Sequence, residues 1–540
     1  MKKTKLYFLT ILSLLFLGIQ HSISQNKKNI KPNVILIMAD DMGYSDIGCY
    51  GGEIKTPNLD MLASNGVRFS QFYNNARCCP TRASILTGLY PHQAGVGGMV
   101  GHGHGDLSNK AVTIAEVLKT NGYATYMTGK WHVADSKSKK DMHNWPNQRG
   151  FDNFFGTITG AGSYFEPHTL TYNNKYVTLK PSDNFYYTDA ISDSTVTFLN
   201  THYKEKKNTP FFFYVAYTAP HWPLHALQKD IKKYDGVFDK GWDILREERL
   251  TRMKKIGVVP KNTKLSPRNK NAKAWKEIQN KDWELQRMMT YAAQIDNMDQ
   301  GIGRIIDKLK QNGELENTLI LFLSDNGGCD EQLKGVEKWV NAKEVTETLG
   351  GKKVSKGNIP GVLSGPASTY MSYGGAWANL SNTPYRKYKK SGHQGGVATP
   401  FIMHWPAGIK NKNSIKKEVA SIIDVMPTIV EVTGATYPEI FDKNNIQPME
   451  GLSLLPVCKN KHLERDEWFV EHGTNKAYRK GDWKVAYSRD KNGKKWELYN
   501  LKKDPTELKD LALQDPERLT KMVESWNLWA QRVIKNNRKK

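Results

Sequence analysis

The chain has 540 residues, 78 of them lysine or arginine against 54 acidic, for a formal charge of +24. At about 100–200 residues per domain, this length suits one large domain plus a smaller one, with a core that needs no disulfide framework. Five cysteines exclude a cysteine-dense scaffold, and 24% charged with 11% aromatic residues exclude a disordered chain.

The first element is an address. Lys2, Lys3 and Lys5 precede an apolar stretch from Leu6 to Ile19, and the small residues Ser22 and Ser24 follow. This is the layout of a secretory signal peptide over residues 1–24. The stretch is short for a span of about 20 residues and holds Thr10, Ser13 and Gly18, so no stable membrane anchor is expected. Cleavage after Ser24 removes three lysines and leaves a formal charge of +21 on an exported chain, periplasmic or secreted.

Asn33–Ala39 is an unbroken apolar run that stops at Asp40-Asp41, as a strand buried on both faces would. Thr56, Pro57 and Gly66 mark the start and end of a helix. Thr113 to Glu116 has the spacing of a capping box, with Gly122 as the stop. Tyr123–Thr128 predicts a strand leading into Gly129-Lys130-Trp131-His132, and Pro210–Tyr217 one leading into Thr218-Ala219-Pro220-His221. Thr318–Ser324 stops at Asp325-Asn326-Gly327-Gly328, and Pro400–Met403 runs into His404. Strands alternating with helices predict an α/β sheet covered on both faces. Sites in such sheets form outside the carboxyl ends of the strands, which gathers Asp40, Asp41, Lys130, His132, His221, Asp325 and Asn326 on one edge. Each alone reads as a cap or turn residue; seven together read as a site.

Arg77-Cys78-Cys79-Pro80-Thr81-Arg82 precedes Ala83–Leu89, which reads as a helix with Pro80 near its first turn. Cys78 then faces the positive end of that helix. The residues leave two readings open: a buried or disulfide-bonded thiol, or a thiolate nucleophile activated by Arg82 and the helix end.

Cys78-x-Pro80-Thr81-Arg82 with Leu86-Thr87-Gly88 resembles the signature of the formylglycine-dependent (type I) sulfatases, in their arylsulfatase branch. Asp40-Asp41-Met42-Gly43, Gly129–His132, Pro220–Pro223, Asp325–Gly328 and Asn382–Lys389 resemble the family's further motifs, in the family's order, across most of Asn33–Pro406. Trp496–Tyr499 with Asp504–Glu507 resembles its small second domain. The resemblance implies an alkaline-phosphatase-like fold: a large mixed, mostly parallel sheet sandwiched by helices, with a catalytic domain over 25–457. It also implies a small C-terminal α+β domain with an antiparallel sheet over 458–540.

The chemistry it implies is hydrolysis of sulfate monoesters, of an aryl alcohol or a carbohydrate. In that family the first cysteine of the signature, here Cys78, is oxidised by a formylglycine-generating maturation enzyme. The hydrated aldehyde then attacks sulfur and passes through a sulfated-enzyme intermediate. By resemblance Asp40, Asp41, Asp325 and Asn326, with position 78, hold the metal. Their oxygen ligands suit Ca2+, or Mg2+, better than zinc. Arg82 would hold the nucleophile, Lys130 and Lys389 would bind sulfate oxygens, His221 would protonate the leaving oxygen and His132 would take the gem-diol proton.

Two alternatives belong to other classes: a phosphate or phosphonate ester hydrolase of the same superfamily, and a non-catalytic binder of sulfated glycans. A nucleic-acid partner, which the charge first suggests, has no helix-turn-helix, zinc-finger or RNA-binding motif behind it. The family carries a glutamate where Gln394 stands, which removes a charge near Lys389. Cys49, Cys79, Cys329 and Cys458 lack metal-ligand spacing and read as buried thiols or disulfide partners. His102 and His104 lie in a glycine-rich loop, either plain surface or a substrate-facing rim. Residues 229–282 and 336–372 read as insertions, either lids over the site or solvated excursions. Trp526 and Trp529 predict an apolar face on a last helix packed against the main sheet.

Overall fold

A computed structural model describes residues 31–100, 105–135, 142–338, 345–490 and 493–535. The signal peptide over 1–24 and the histidines His102 and His104 lie outside the described residues. No helix among those described is long and apolar enough to cross a membrane.

From Asn33 onward the chain is built on an eleven-stranded sheet. Its first eight strands are β1 (Asn33–Ala39), β2 (Val67–Tyr73), β3 (Ala124–Lys130), β4 (Asn153–Thr157), β5 (Leu170–Tyr172), β6 (Lys175–Tyr176), β7 (Phe211–Ala216) and β8 (Thr318–Ser324). The strands β8, β1, β7 and β3 are parallel neighbours in that order. Ser324, Ala39, Ala216 and Lys130 therefore end adjacent strands on one edge.

Alternation along each strand feeds two cores. In β1, Ile35 and Ile37 face the core shared with helices Pro57–Ser64, Tyr187–Glu205 and Lys281–Gln311. Val34, Leu36 and Met38 face the one shared with Cys78–Thr87, Ile114–Thr120 and Val425–Thr433. Burial on both faces explains why β1 and β8 are apolar at nearly every position. The capping box is present: Thr113 Oγ1 accepts from the Glu116 N–H at 3.0 Å, and Glu116 accepts from the Thr113 N–H at 2.7 Å.

Three expectations need correction. The strand at Ala398–His404 runs antiparallel to β8 and pairs His404 with Ile320, so its carboxyl end points away from the shared edge. Residues 229–282 are no lid: Trp242 and Trp275 pack at 4.8 Å and Trp242 meets Trp377 at 5.0 Å, forming an aromatic wedge within the first core. The last helix, Pro516–Ala530, packs mainly on the C-terminal sheet rather than the main one. There Trp529 stacks on Phe469 and the Trp526 indole donates to the Val470 carbonyl at 3.2 Å.

That second sheet has four antiparallel strands, Glu467–His472, Asn475–Lys480, Trp483–Asp490 and Gly493–Asn500. All five cysteines are free thiols.

Candidate active site

The shared edge carries the predicted residues, and the structure brings all of them together. Asp40 and Asp41 follow β1, Lys130 ends β3, and Asp325 and Asn326 follow β8. Lys130 Nζ donates to Asp40 Oδ2 at 2.6 Å, and Lys389 Nζ donates to Asp41 Oδ2 at 2.7 Å. Arg82 Nη2 donates to Asp325 Oδ2 at 2.9 Å and lies 3.7 Å from Asp40 Oδ2. Asn326 Nδ2 donates to Asp41 Oδ1 at 2.6 Å. Asp40, Lys130, Arg82, Asp325 and Asn326 have no exposed surface.

Local sequence explains several placements. Gly129 has φ +98°, and a Cβ there would sit 1.9 Å from the Ala216 carbonyl oxygen, so only glycine lets β3 deliver Lys130 beside β7. At Gly160 a Cβ would meet the His132 ring at 2.5 Å, so that loop can close over the imidazole only without a side chain. Asp41 (φ 67°) and His132 (φ 59°) hold left-handed backbone that non-glycine residues seldom adopt. Cys78 opens the Cys78–Thr87 helix, whose ten residues are all buried.

The electrostatics are uneven. Burial opposes ionisation of Asp40, yet Lys130, His221 and Arg82 outweigh it and hold that carboxyl well below the usual range. Burial, reinforced by the charge of Asp40, pushes Asp325 well above it. The hydrogen bond from Cys79, with Lys130, His132 and Lys389, draws the Cys78 thiol well below its ordinary value despite burial. Burial and Lys130 lower His132 to about 4, so its imidazole is neutral at pH 7. Its Nδ1 is buried without a hydrogen-bond partner. At His221, Nδ1 is 2.6 Å from the Trp222 carbonyl, which leaves Nε2 facing Lys389 Nζ at 3.1 Å and Asp41 Oδ2 at 3.2 Å. Lysine can only donate, so Nε2 accepts in this arrangement.

The residues fit a hard divalent cation. Asp40 Oδ1 and Asn326 Oδ1 are buried oxygens with no hydrogen-bond partner, beside the carboxylates of Asp41 and Asp325. Such orphaned acceptors are costly unless a ligand completes them. Four oxygen donors also match calcium or magnesium chemistry. A cation among them would further relieve the repulsion that keeps Asp325 from ionising beside Asp40.

A cleft of about 1030 Å3 opens above Cys78, with His132, His221 and Lys389 in its wall. Three parts of this cleft were not legible beforehand. The Glu471–Gly473 turn of the C-terminal sheet lines it, as do Arg77 and Glu331. Of the two insertions, only 336–372 reaches it, through Lys338, Val345 and Tyr370.

Gln394 is well satisfied without the family's glutamate. Its Nε2 donates to Tyr73 Oη at 3.0 Å, and its Oε1 accepts from Lys484 Nζ at 3.1 Å. Lys484 takes its carboxylate from Glu507, at 2.7 Å.

A buried edge of carboxylates and cations, ending the parallel strands of a mixed sheet under an open cleft, suits a hydrolase of small anionic esters. The sulfatase family profile matches residues 32–435, and that of the N-sulphoglucosamine sulphohydrolase C-terminal region matches 387–528. The chain is 34% identical to an arylsulfatase of Klebsiella aerogenes, over 84% of this chain and 97% of that one. It is 31% identical to an uncharacterized sulfatase of Schizosaccharomyces pombe, over 94% of each. The solved structure of Ps i-CgsB in complex with k-i-k-neocarrahexaose is similar at a TM-score of 0.65 and 26% identity, covering 93% of each chain. The protein belongs to the sulfatase family and is a sulfuric ester hydrolase.

Proposed function

We propose that position 78, converted from cysteine to formylglycine by a maturation enzyme, is the nucleophile. Asp40, Asp41, Asp325 and Asn326 would hold a calcium ion together with it, magnesium being the alternative. The observation that carries this reading is the meeting of Cys78, His132 and Lys389, from distant chain segments, in the wall of one cleft, the Cys78 sulfur and a His132 ring nitrogen lying within 4.8 Å of each other. The hydrated aldehyde supplies an oxygen nucleophile and a second hydroxyl that permits sulfate to be expelled. The cation supplies fixed positive charge where the sulfuryl oxygens gather.

Lys130 and Lys389 bind sulfate oxygens, each already held by an aspartate. Arg82 fixes the nucleophile's surroundings through Asp325 and the Lys130 carbonyl. Neutral His132, with a free ring nitrogen, takes a proton from position 78. His221, whose Nε2 accepts from Lys389 in the resting site, must first take up a proton there before it can deliver one to the leaving oxygen.

The substrate we infer is a sulfated carbohydrate: the cleft is larger than an aryl sulfate needs, and the similar Ps i-CgsB was solved in complex with k-i-k-neocarrahexaose. We read the mature protein as exported after removal of residues 1–24. Its catalytic domain spans 25–457, and a C-terminal domain, 458–540, supplies part of the cleft rim.

Mass spectrometry of the tryptic peptide holding position 78, taken from the native host, tests this together with Cys78→Ala. An aldehyde mass and loss of sulfate release to background, with an unshifted melting temperature, are expected. An unmodified thiol in active protein, or a Cys78→Ala variant with near-normal turnover, would overturn it.

A further inference from the structure

The cations at the floor of the cleft are each committed. Lys130 is held by Asp40, Lys389 by Asp41 and Arg82 by Asp325. Higher in the wall, Lys390 is held by Glu331, whose other oxygen accepts from the Trp222 indole at 2.9 Å. Glu471 is taken by His92 at 2.6 Å. Two lining cations then have no carboxylate within ion-pairing distance among the described residues: Lys338, exposed on the outer rim, and Arg77.

Arg77 is no loose surface side chain. It is half-buried, and among the described residues the one hydrogen bond its guanidinium makes runs from Nε to the Met99 sulfur at 3.4 Å, a weak acceptor. Its backbone is pinned from both sides. Ala76 (φ 59°) donates its N–H to Asn74 Oδ1 at 2.8 Å, and its carbonyl accepts from the Lys390 N–H at 2.7 Å. Lys390 is itself in the left-handed region, at φ 76°. Two strained residues thus tie the Arg77 segment to the Lys389 loop, which fixes a guanidinium in the cleft one residue before the nucleophile. Burial opposes the Arg77 charge, but Cys78, Glu331 and Asp41 uphold it from beyond contact distance, so a charged planar fork that suits a carboxylate or sulfate stands in the cleft wall.

We propose that Arg77 binds a second anionic group carried by the leaving alcohol, so that the preferred substrates are sulfated sugars bearing a further oxyanion, a uronate carboxylate or another sulfate. This rests on the assignment of Cys78 as the reacting position. Neither the second anion nor its sugar is required for bond breaking, so Arg77 acts on substrate choice and affinity.

The test uses the matured full-length enzyme and its Arg77→Gln and Arg77→Lys variants. Each is assayed on an aryl monosulfate, a neutral monosulfated sugar, the disulfated sugar and the sulfated uronate. For Arg77→Gln, KM for one or both doubly anionic substrates should rise by about 10–100-fold with kcat little moved, as loss of a charged hydrogen bond implies. The monosulfates should lose at most a few-fold, and Arg77→Lys should recover part of the loss. Which of the two dianions suffers more tells a carboxylate partner from a sulfate. Equal losses on all four substrates would place Arg77 on the transferred sulfate and overturn the proposal, as would no change on any. Wild-type turnover of the aryl monosulfate, read in the same series, reports separately on the role of Cys78.

Discussion

Two buried ionic networks lie in this protein, one on the edge of the main sheet and one where the C-terminal sheet meets it. The second joins Lys484 to Glu507 at 2.7 Å, His393 to Glu497 at 2.6 Å and Tyr499 Oη to Glu497 at 2.9 Å. The Gln394 N–H closes on Glu507 at 2.9 Å. There the charges are matched with neutral hydrogen bonds between them, which is what a structural network requires. The first has comparable burial and comparable pairs, yet it leaves Asp40 Oδ1, Asn326 Oδ1, His132 Nδ1 and Arg82 Nε without hydrogen-bond partners. Left-handed backbone occurs in both, at Asp41 and His132 in the first and at Glu507 in the second, and the one second-network atom outside a hydrogen bond among the described residues, Glu507 Oε1, pairs with Lys484 at 2.7 Å. Burial of charge alone therefore does not mark a site. Several buried polar atoms left unanswered around one point, beneath an open cleft, do.

The comparison can be broken by removing what each network is held to need. Exhaustive chelation should abolish sulfate release and lower the melting temperature, with calcium restoring both. If affinity is such that the cation sits at 100 times its Kd, the stability lost is about 2.7 kcal/mol. Full activity after chelation, with metal analysis showing none bound, would remove the cation from the first network.

Glu507→Ala strands Lys484 in the interior and should cost about 3–5 kcal/mol in denaturant unfolding. Turnover measured well below the melting temperature should change far less, because Lys389 keeps its own aspartate. A collapse of kcat without loss of stability would mean that the second network positions the first.

The smallest effect is a pH dependence. Burial raises Glu497, but the hydrogen bond from His393 and the nearby positive charges hold its carboxyl at about 2, below its ordinary 4.5. A depressed carboxylate contributes stability that is whole above 4.5 and lost as pH falls from there towards 2. Unfolding midpoints across that window should fall less steeply in Glu497→Gln than in the wild type.

Much of this was legible in the chain itself, for a specific reason. β1 and β8 are buried on both faces, so they appear as unbroken apolar runs with the bounds the structure has, and the acids that end them lie in the candidate site. β2 was not anticipated, because Arg68, Ser70 and Gln71 interrupt Val67–Tyr73 and hide its buried positions. Strand direction was also hidden: an apolar run at Pro400–Met403 carries no sign of being antiparallel. The site motifs were visible since each is local, a few residues at a strand end. Arg77, Glu331 and the Glu471–Gly473 turn were not, since what makes them part of the cleft is long-range packing. The two insertions differ in composition, 229–282 rich in Lys, Arg, Asn and Trp and 336–372 in Gly, Ser and Lys, but only contact with the Trp377 helix separates the aromatic wedge from the cleft wall.

The edge of the sheet also sets a schedule. Asp41 meets Asn326 across 285 positions of sequence and Lys389 across 348. Contacts that remote cannot form until the later residue has been made, so a nascent chain lacks a working floor until Lys389 is available. At roughly 5–20 residues per second, about 15–60 s of synthesis separate Cys78 from Lys389. In the finished fold Cys78 is 2% exposed. Under the maturation proposed above, that interval is when the sulfur is open to the modifying enzyme, and the length of the intervening chain sets how long it stays so.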